Sequence, residues 1–225
     1  MNSGDGLERF PPDPRPAQGK ERATARGDHV ESLTDEQLVT LTQQGNVSAF
    51  NSLAGRWHPT LHGFVTRTLG NPDEAQDVCQ ETLLKAYRNI RRLRDGGKFK
   101  AWIHHIALNL CRDRFRAAKA RGETIVLEEA TLVERRGPVG PVVSPTTDEQ
   151  AERVDLQGVL GVLLAELPAE QRTSILLREY QGFTSEEIGE IMGVPAATVR
   201  TRIYYGLRSL RKALRNRGLK PADFS

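Results

Sequence analysis

Between residue 117 and about residue 150 the hydrophobic pattern of this chain stops. Gly137-Pro138, Gly140-Pro141 and Ser144-Pro145 interrupt every period, and the apolar residues between them do not repeat. On either side, apolar residues recur at three- and four-residue steps, the spacing of helices that bury one face. A patternless stretch of roughly thirty residues is too long for an ordinary loop inside a compact domain and reads as a flexible linker. Strict alternation is absent and Val/Ile/Thr runs are short, so no strand competes. The expected fold is all-α: two small helical bundles joined by a linker.

Local signals set the helices within each bundle. Thr34 followed by Gln37 reads as a capping box opening a short helix through Leu38 and Leu41. Phe50, Leu53, Trp57, Leu61, Phe64 and Val65 mark a long amphipathic helix, which Pro59 is expected to kink or break. Asn71-Pro72-Asp73-Glu74 combines a cap, a first-turn proline and acids at the positive dipole end. That helix should run to about Ile90 and bury Ala75, Val78, Leu83, Ala86 and Ile90 or their close neighbours. After a turn at Asp95-Gly96-Gly97, residues Phe99 to about Arg116 carry the next helical stripe. In the second bundle, Leu156, Val159, Leu160, Leu163 and Leu164 form one stripe, and Leu167-Pro168-Ala169-Glu170 starts another helix. Thr184 and Glu187 form a second capping box, Gly193 ends that helix, and Pro195 opens the last one. The expected division is a disordered extension at 1–32, a first bundle at 33–116, the linker at 117–153, a second bundle at 154–217 and a tail at 218–225.

Charge is separated along the chain, although 32 bases against 29 acids leave a net charge of only +3. Asn71 to Glu81 holds four acids and no base, whereas Arg88 to Arg121 holds eleven bases and two acids. Glu123 to Asp155 is acidic again, and Thr198 to Arg217 has seven bases and no acid. Two basic blocks with an acidic one between them suggest two places that meet a polyanion. Residues 184 to 208 read as a helix-turn-helix whose last helix is basic. Its apolar stripe, Val199, Ile203, Leu207, Leu210 and Leu214, leaves Arg200, Thr201, Tyr204, Tyr205, Arg208 and Lys212 outward. Arg200, Thr201 and Tyr204 are placed for base edges, while Arg202, Arg208, Arg211 and Lys212 suit phosphates.

The other basic block interleaves cations with rings: Arg91, Arg92, Arg94, Lys98, Phe99, Lys100, Trp102, Arg112, Arg114 and Phe115. Single-stranded nucleic acid is held by that mixture, although helical spacing equally suits Phe99 and Trp102 to a core. Asn109 can both donate to and accept from a base edge, or serve a structural helix-capping or core hydrogen bond. Asp77, Gln80 and Glu81 share one helical face, which is either a solvated surface or a protein-docking one.

No Walker loop, dinucleotide fingerprint or nucleophile elbow occurs, and no catalytic constellation emerges. His58 and His62 lack a following glutamate and a third ligand, so neither a metal site nor a cofactor is expected; His104 and His105 read as surface or core-edge residues. Cys79 and Cys111 cannot form a disulfide framework, and Cys79 reads as a small buried hydrophobe. Without a membrane-spanning run or a signal-peptide h-region near Met1 to Arg26, a cytoplasmic protein is expected and no membrane partner.

At this point the motifs converge on a family. Gly45-Asn46-Val47-Ser48-Ala49-Phe50, Ala75-Gln76-Asp77-Val78-Cys79-Gln80-Glu81 and Phe99 to Asn109 resemble region 2 of the extracytoplasmic-function (ECF) sigma factors. Leu167-Pro168-Ala169-Glu170-Gln171-Arg172 and Thr198-Val199-Arg200-Thr201-Arg202-Ile203 resemble region 4 of the same class, in the same order. The resemblance implies that Asp77, Gln80 and Glu81 dock on the β′ clamp helices of core RNA polymerase, with region 4 on the β flap. It implies that Arg94, Lys98, Lys100, Trp102, Asn109 and Arg112 serve the unstacked −10 strand, with Trp102 in the segment associated with opening. Thr198, Arg200, Thr201, Arg202, Tyr204, Tyr205 and Arg208 would then meet the −35 duplex. The linker would thread the polymerase cleft, and an anti-sigma factor is a partner common in the family. Tyr205-Gly206 replaces an Arg-Ala pair common there, which removes one expected DNA contact; Leu83 stands where an aromatic is frequent. The alternative is a conventional helix-turn-helix regulator whose first bundle senses a signal or dimerises.

Overall fold

The computed structural model of the chain describes residues 32–121 and 158–218. The expected N-terminal extension up to residue 31, the linker from 122, the stripe residue Leu156 and the tail beyond 218 lie outside the described residues. All regular structure among the described residues is helical.

The first bundle begins with α1, Asp35–Gln43. Thr34 accepts from the Gln37 amide at 3.3 Å while the Gln37 side chain accepts from the Thr34 amide at 2.9 Å, the reciprocal box the sequence predicts. Helix α2 spans Val47–Leu69 and α3 spans Pro72–Asn89, with Asn71 accepting from the amides of Asp73 and Glu74. Pro59 sits inside α2 without ending it, so of the expected kink or break the break does not occur. The proline leaves the Gly55 carbonyl without its intrahelical donor, but both residues lie on the exposed side, where water can supply one. Two short 3₁₀ turns, Ile90–Arg92 and Gly96–Lys98, then lead into α4, Phe99–Ala120, one turn longer than the expected end near Arg116. Gln43 secures the first of these turns by donating to the carbonyls of Ile90 and Leu93 at 2.9 and 2.8 Å.

The first core is built from Leu38, Leu53, Leu61, Phe64, Val78 and Ile103, each 0 or 1% exposed. On α3 the buried side is Ala75, Val78, Cys79, Thr82 and Ala86, while Leu83 is only half-buried. Thr82 is tolerated there because its hydroxyl donates to the Val78 carbonyl one turn back, at 2.7 Å.

In the second bundle, the described part of α5 covers residues 158–165. Helix α6, Ala169–Ile175, runs on into a π-turn, Leu176–Tyr180. Helix α7 is Ser185–Met192, capped by Thr184 and Glu187, and α8 is Ala196–Asn216. Leu163, Leu176, Leu177, Ile188 and Val199 are sealed between them. The two bundles are packed against each other. Phe183, at the foot of the second bundle, is 2% exposed and lies 5.2 Å from the His104 ring and 5.3 Å separates that ring from Phe64 in the first core.

Candidate nucleic-acid interface

Gly193, in the left-handed conformation at φ 72°, ends α7 and turns the chain toward α8. A Cβ on Gly189 would stand 2.7 Å from the Val194 carbonyl oxygen, so the turn packs on bare backbone. Helix α8 in turn lies close on α6 because Gly206 has no side chain. A Cβ there would stand 2.6 Å from Ile175 Cδ1 and 3.4 Å from Gln171 Cβ. In the sequence Gly206 stands out only as a departure from the family's Arg-Ala pair, and the close approach is not visible there. Glycine at a stripe position was its available signal.

With α8 so placed, Val199, Gly206 and Leu210 are buried, and Arg200, Thr201, Tyr204, Tyr205 and Arg208 are exposed on the opposite arc. Tyr204 and Tyr205 are 62% and 51% exposed. Their rings meet edge-on at 5.3 Å. Thr198 is half-buried, and the Thr201 hydroxyl donates to the Ala197 carbonyl at 3.0 Å. Arg200 reaches across the turn to Glu186 at 3.1 Å. Arg202 is half-buried and paired with Glu170 at 2.9 Å.

On α3, Asp77 and Gln80 are exposed, and Glu81 is half-buried between Lys85 at 3.0 Å and Arg114 at 3.6 Å. Leu84 and Tyr87 continue that face at three- and four-residue steps, 54% and 42% exposed, with Tyr87 against Phe50 at 4.9 Å between ring centroids. Periodicity predicted the acidic residues; the two large apolar ones beside them are visible only once the buried side of α3 is known.

Helix α4 carries Trp102, His105, Asn109 and Arg112 at steps of three and four, on one face. Phe99 is buried, as its spacing equally allowed, and Trp102 is half-buried at 6.1 Å from it. Asn109 is exposed, which removes the core hydrogen-bond role held open for it. Its Nδ2 donates to Nε2 of His105 at 3.0 Å, and His105 Nδ1 donates to the Ile191 carbonyl of the second bundle at 2.9 Å. Lys100 donates to the Gln181 carbonyl at 2.6 Å, with its Nζ 4.4 Å from the centre of the Phe183 ring. Arg112 approaches the Met192 carbonyl at 3.4 Å and Glu170 at 3.5 Å, and Lys98 pairs with Glu190 at 3.3 Å. Arg94 stays exposed beside the Asp95 turn.

His104 is not the edge residue expected: it is wholly buried, and burial lowers its pKa to about 4. The neutral ring donates from Nδ1 to the Lys100 carbonyl at 2.8 Å. Burial likewise pushes the Cys79 and Cys111 thiols up to about 12. His58 and His62 stack at 5.9 Å, and no cluster of three or more potential metal ligands occurs among the described residues. No described helix is long and apolar enough to cross a membrane.

The sigma-70 region 2 family matches residues 53–121 and the sigma-70 region 4 family matches residues 158–210. Both halves of a promoter-specificity subunit are therefore present, in order. Among relatives, the ECF RNA polymerase sigma-E factor of Haemophilus influenzae is 35% identical over 78% of this chain and 92% of its own length. The RNA polymerase sigma-H factor of Pseudomonas aeruginosa is 30% identical over 80% and 93%. The ECF sigma factor SigW of Bacillus subtilis is 31% identical over 80% and 97%. In fold, the chain is similar to CnrH in its complex with the cytosolic domain of CnrY, at a TM-score of 0.58 and 24% identity over 81% of this chain and 97% of that one. It is also similar to RpoE of Bartonella quintana in complex with the anti-sigma factor NepR, at 0.55 and 24% over 74% and 96%. The chain belongs to the ECF sigma factors of the sigma-70 family, subunits that direct RNA polymerase to promoters.

Proposed function

We infer that this chain divides promoter recognition between the exposed arc of α8 and the basic face of α4, while α3 holds the polymerase. Arg200, Thr201 and Tyr204 read the −35 duplex from the start of α8, with Thr198, Tyr205 and Arg208 flanking them; Arg202, tied to Glu170, positions the helix more than it touches DNA. Arg94, Lys98, Lys100, Trp102, Asn109 and Arg112 receive the melted −10 strand. Asp77, Gln80 and Glu81, with Leu84 and Tyr87 beside them, form the face for the β′ clamp helices, and region 4 seats on the β flap. This chain supplies binding energy only, and all bond-making belongs to the polymerase, in the cytoplasm. An anti-sigma factor fits as a further partner, since two structures of similar fold hold such partners or a cytosolic-domain counterpart.

The observation that carries this reading is the exposed aromatic and cationic arc of α8, with Tyr204 and Tyr205 more than half exposed. Opening then proceeds because the unpaired strand gains a partner that the duplex lacks. The test is initiation on a cognate promoter by core polymerase plus the full chain. Asp77→Ala with Glu81→Ala should weaken association with core while leaving DNA-reading residues untouched. Tight operator binding without polymerase, indifferent to that double substitution, would instead make the chain a conventional regulator.

A further inference from the structure

Helix α8 carries a glycine in its interior where it packs on α6, and glycine is a poor helix former that such a place tolerates only for a packing reason. The reason is visible. Gly206 is buried, and a Cβ on it would meet Ile175 Cδ1 at 2.6 Å and Gln171 Cβ at 3.4 Å, both on α6. Ile175 is 3% exposed and branched at Cβ, so its end methyl has little room to swing aside. At 3.6 residues per turn, Tyr204 and Arg208 stand about 160° around the helix from Gly206, almost directly behind it. Both are exposed. The depth at which α8 sits on α6 is therefore the height at which these two side chains stand above the bundle. The amino end of α8 is held more firmly: Val199 is buried, the preceding turn packs on the bare backbone of Gly189, and Arg202 pairs with Glu170 at 2.9 Å.

We propose that Gly206, seated on Ile175, is a positioning residue for promoter specificity: the bare contact sets the pitch of α8 and with it the placement of Tyr204 and Arg208 against the −35 duplex. The proposal rests on the assignment of that duplex to the exposed arc of α8. A methyl group at 206 needs about 1 Å of extra separation to reach an ordinary carbon–carbon contact. With the amino end of the helix fixed about 15 Å away, this is a tilt of roughly 4°. Arg200, near the pivot, moves by about 0.4 Å, whereas Tyr204 and Arg208 move by about 0.8 and 1.2 Å. Recognition contacts tolerate a misplacement of about 0.5 Å. The far part of the arc then loses its reading while Arg200 keeps its own.

The test selects promoters from a pool randomised across the −35 region, using core polymerase with the full chain. Arg200→Ala and Tyr204→Ala first mark the base pairs that each residue reads. Gly206→Ala should then flatten the preference at the Tyr204 base pairs by roughly fivefold or more and leave those of Arg200. Adding Ile175→Val, which deletes the Cδ1 atom that the new methyl strikes, should restore them. Gly55→Ala, at a helical glycine of α2 with nothing within 4 Å of its Cβ position, should leave every preference unchanged. Ile175→Phe, which presses on α8 with Gly206 in place, should flatten the same base pairs, and it carries the test where Gly206→Ala does not fold by circular dichroism. Unchanged preference in folded Gly206→Ala overturns the proposal. So does an equal loss at every base pair that Ile175→Val does not rescue. If neither Arg200→Ala nor Tyr204→Ala alters any preference, the assignment of α8 to the −35 duplex falls, and the proposal with it.

Discussion

The two basic helices, α4 and α8, have similar charge in the sequence and opposite situations in the fold. On α8, Arg200, Arg208, Tyr204 and Tyr205 stand on the side away from the core, Arg200 leans on a glutamate of its own bundle, and Arg202 is half-buried against Glu170. At and just before α4, Lys98, Lys100 and Arg112 reach the neighbouring bundle and are matched by its oxygens, whereas Arg114 pairs with Glu81 of its own bundle. A count of lysines and arginines therefore says nothing of whether a basic surface is already taken. Geometry decides that, through which helix end faces which stripe.

The largest expected effect comes from the ring at the junction of the bundles. His104 is buried neutral, with its pKa lowered to about 4 from 6.5. Unfolded chains take up that proton first, so the stabilisation is complete above about 6.5 and is lost as pH falls toward 4. The loss over that interval is about 3 kcal/mol. Urea unfolding measured across the same range should show it, and His104→Gln should flatten the dependence; an unchanged slope would move the effect to other groups.

A smaller effect tests the proposed division of DNA reading between the two helices. Arg200→Ala should cost about 1–3 kcal/mol in −35 discrimination by the assembled polymerase and leave core binding alone. Equal loss of both would make Arg200 a structural residue. The smallest effect compares the two capping boxes. Thr34→Ala and Thr184→Ala should each destabilise by about 1 kcal/mol, read from amide exchange at Gln37 and Glu187. Only the second box is expected to respond to acid. Its Glu187 carboxylate is held below its ordinary pKa by the Thr184 amide, so its contribution is present above that ordinary value and fades as the side chain protonates. Gln37 has no proton to gain.

Much of the fold is legible in the amino-acid sequence. Both capping boxes, the Asn71-Pro72 start, the Gly193 stop and the all-helical pairing of bundles follow from side-chain chemistry that acts within four residues. The exposed arc of α8 follows from its period. What escaped the sequence is everything that depends on a neighbour distant along the chain. Pro59 looks like a breaker until its exposed position shows that water can serve the Gly55 carbonyl. His104 looks peripheral until Phe64 and Phe183 close on it from two bundles. Gly206 looks like a lost contact until Ile175 fills the space its side chain would need. The occupancy of the α4 face is of the same kind, since no periodicity in residues 98–112 encodes the carbonyls of residues 181–192.

The chain's two sulfhydryls have a consequence of their own. Cys79 and Cys111 are the only cysteines in the sequence, both sealed from water, and their deprotonation is pushed up to about 12. Peroxides and disulfides react with thiolate, which these side chains do not present. In the folded form these two thiols are therefore poor sensors of oxidants.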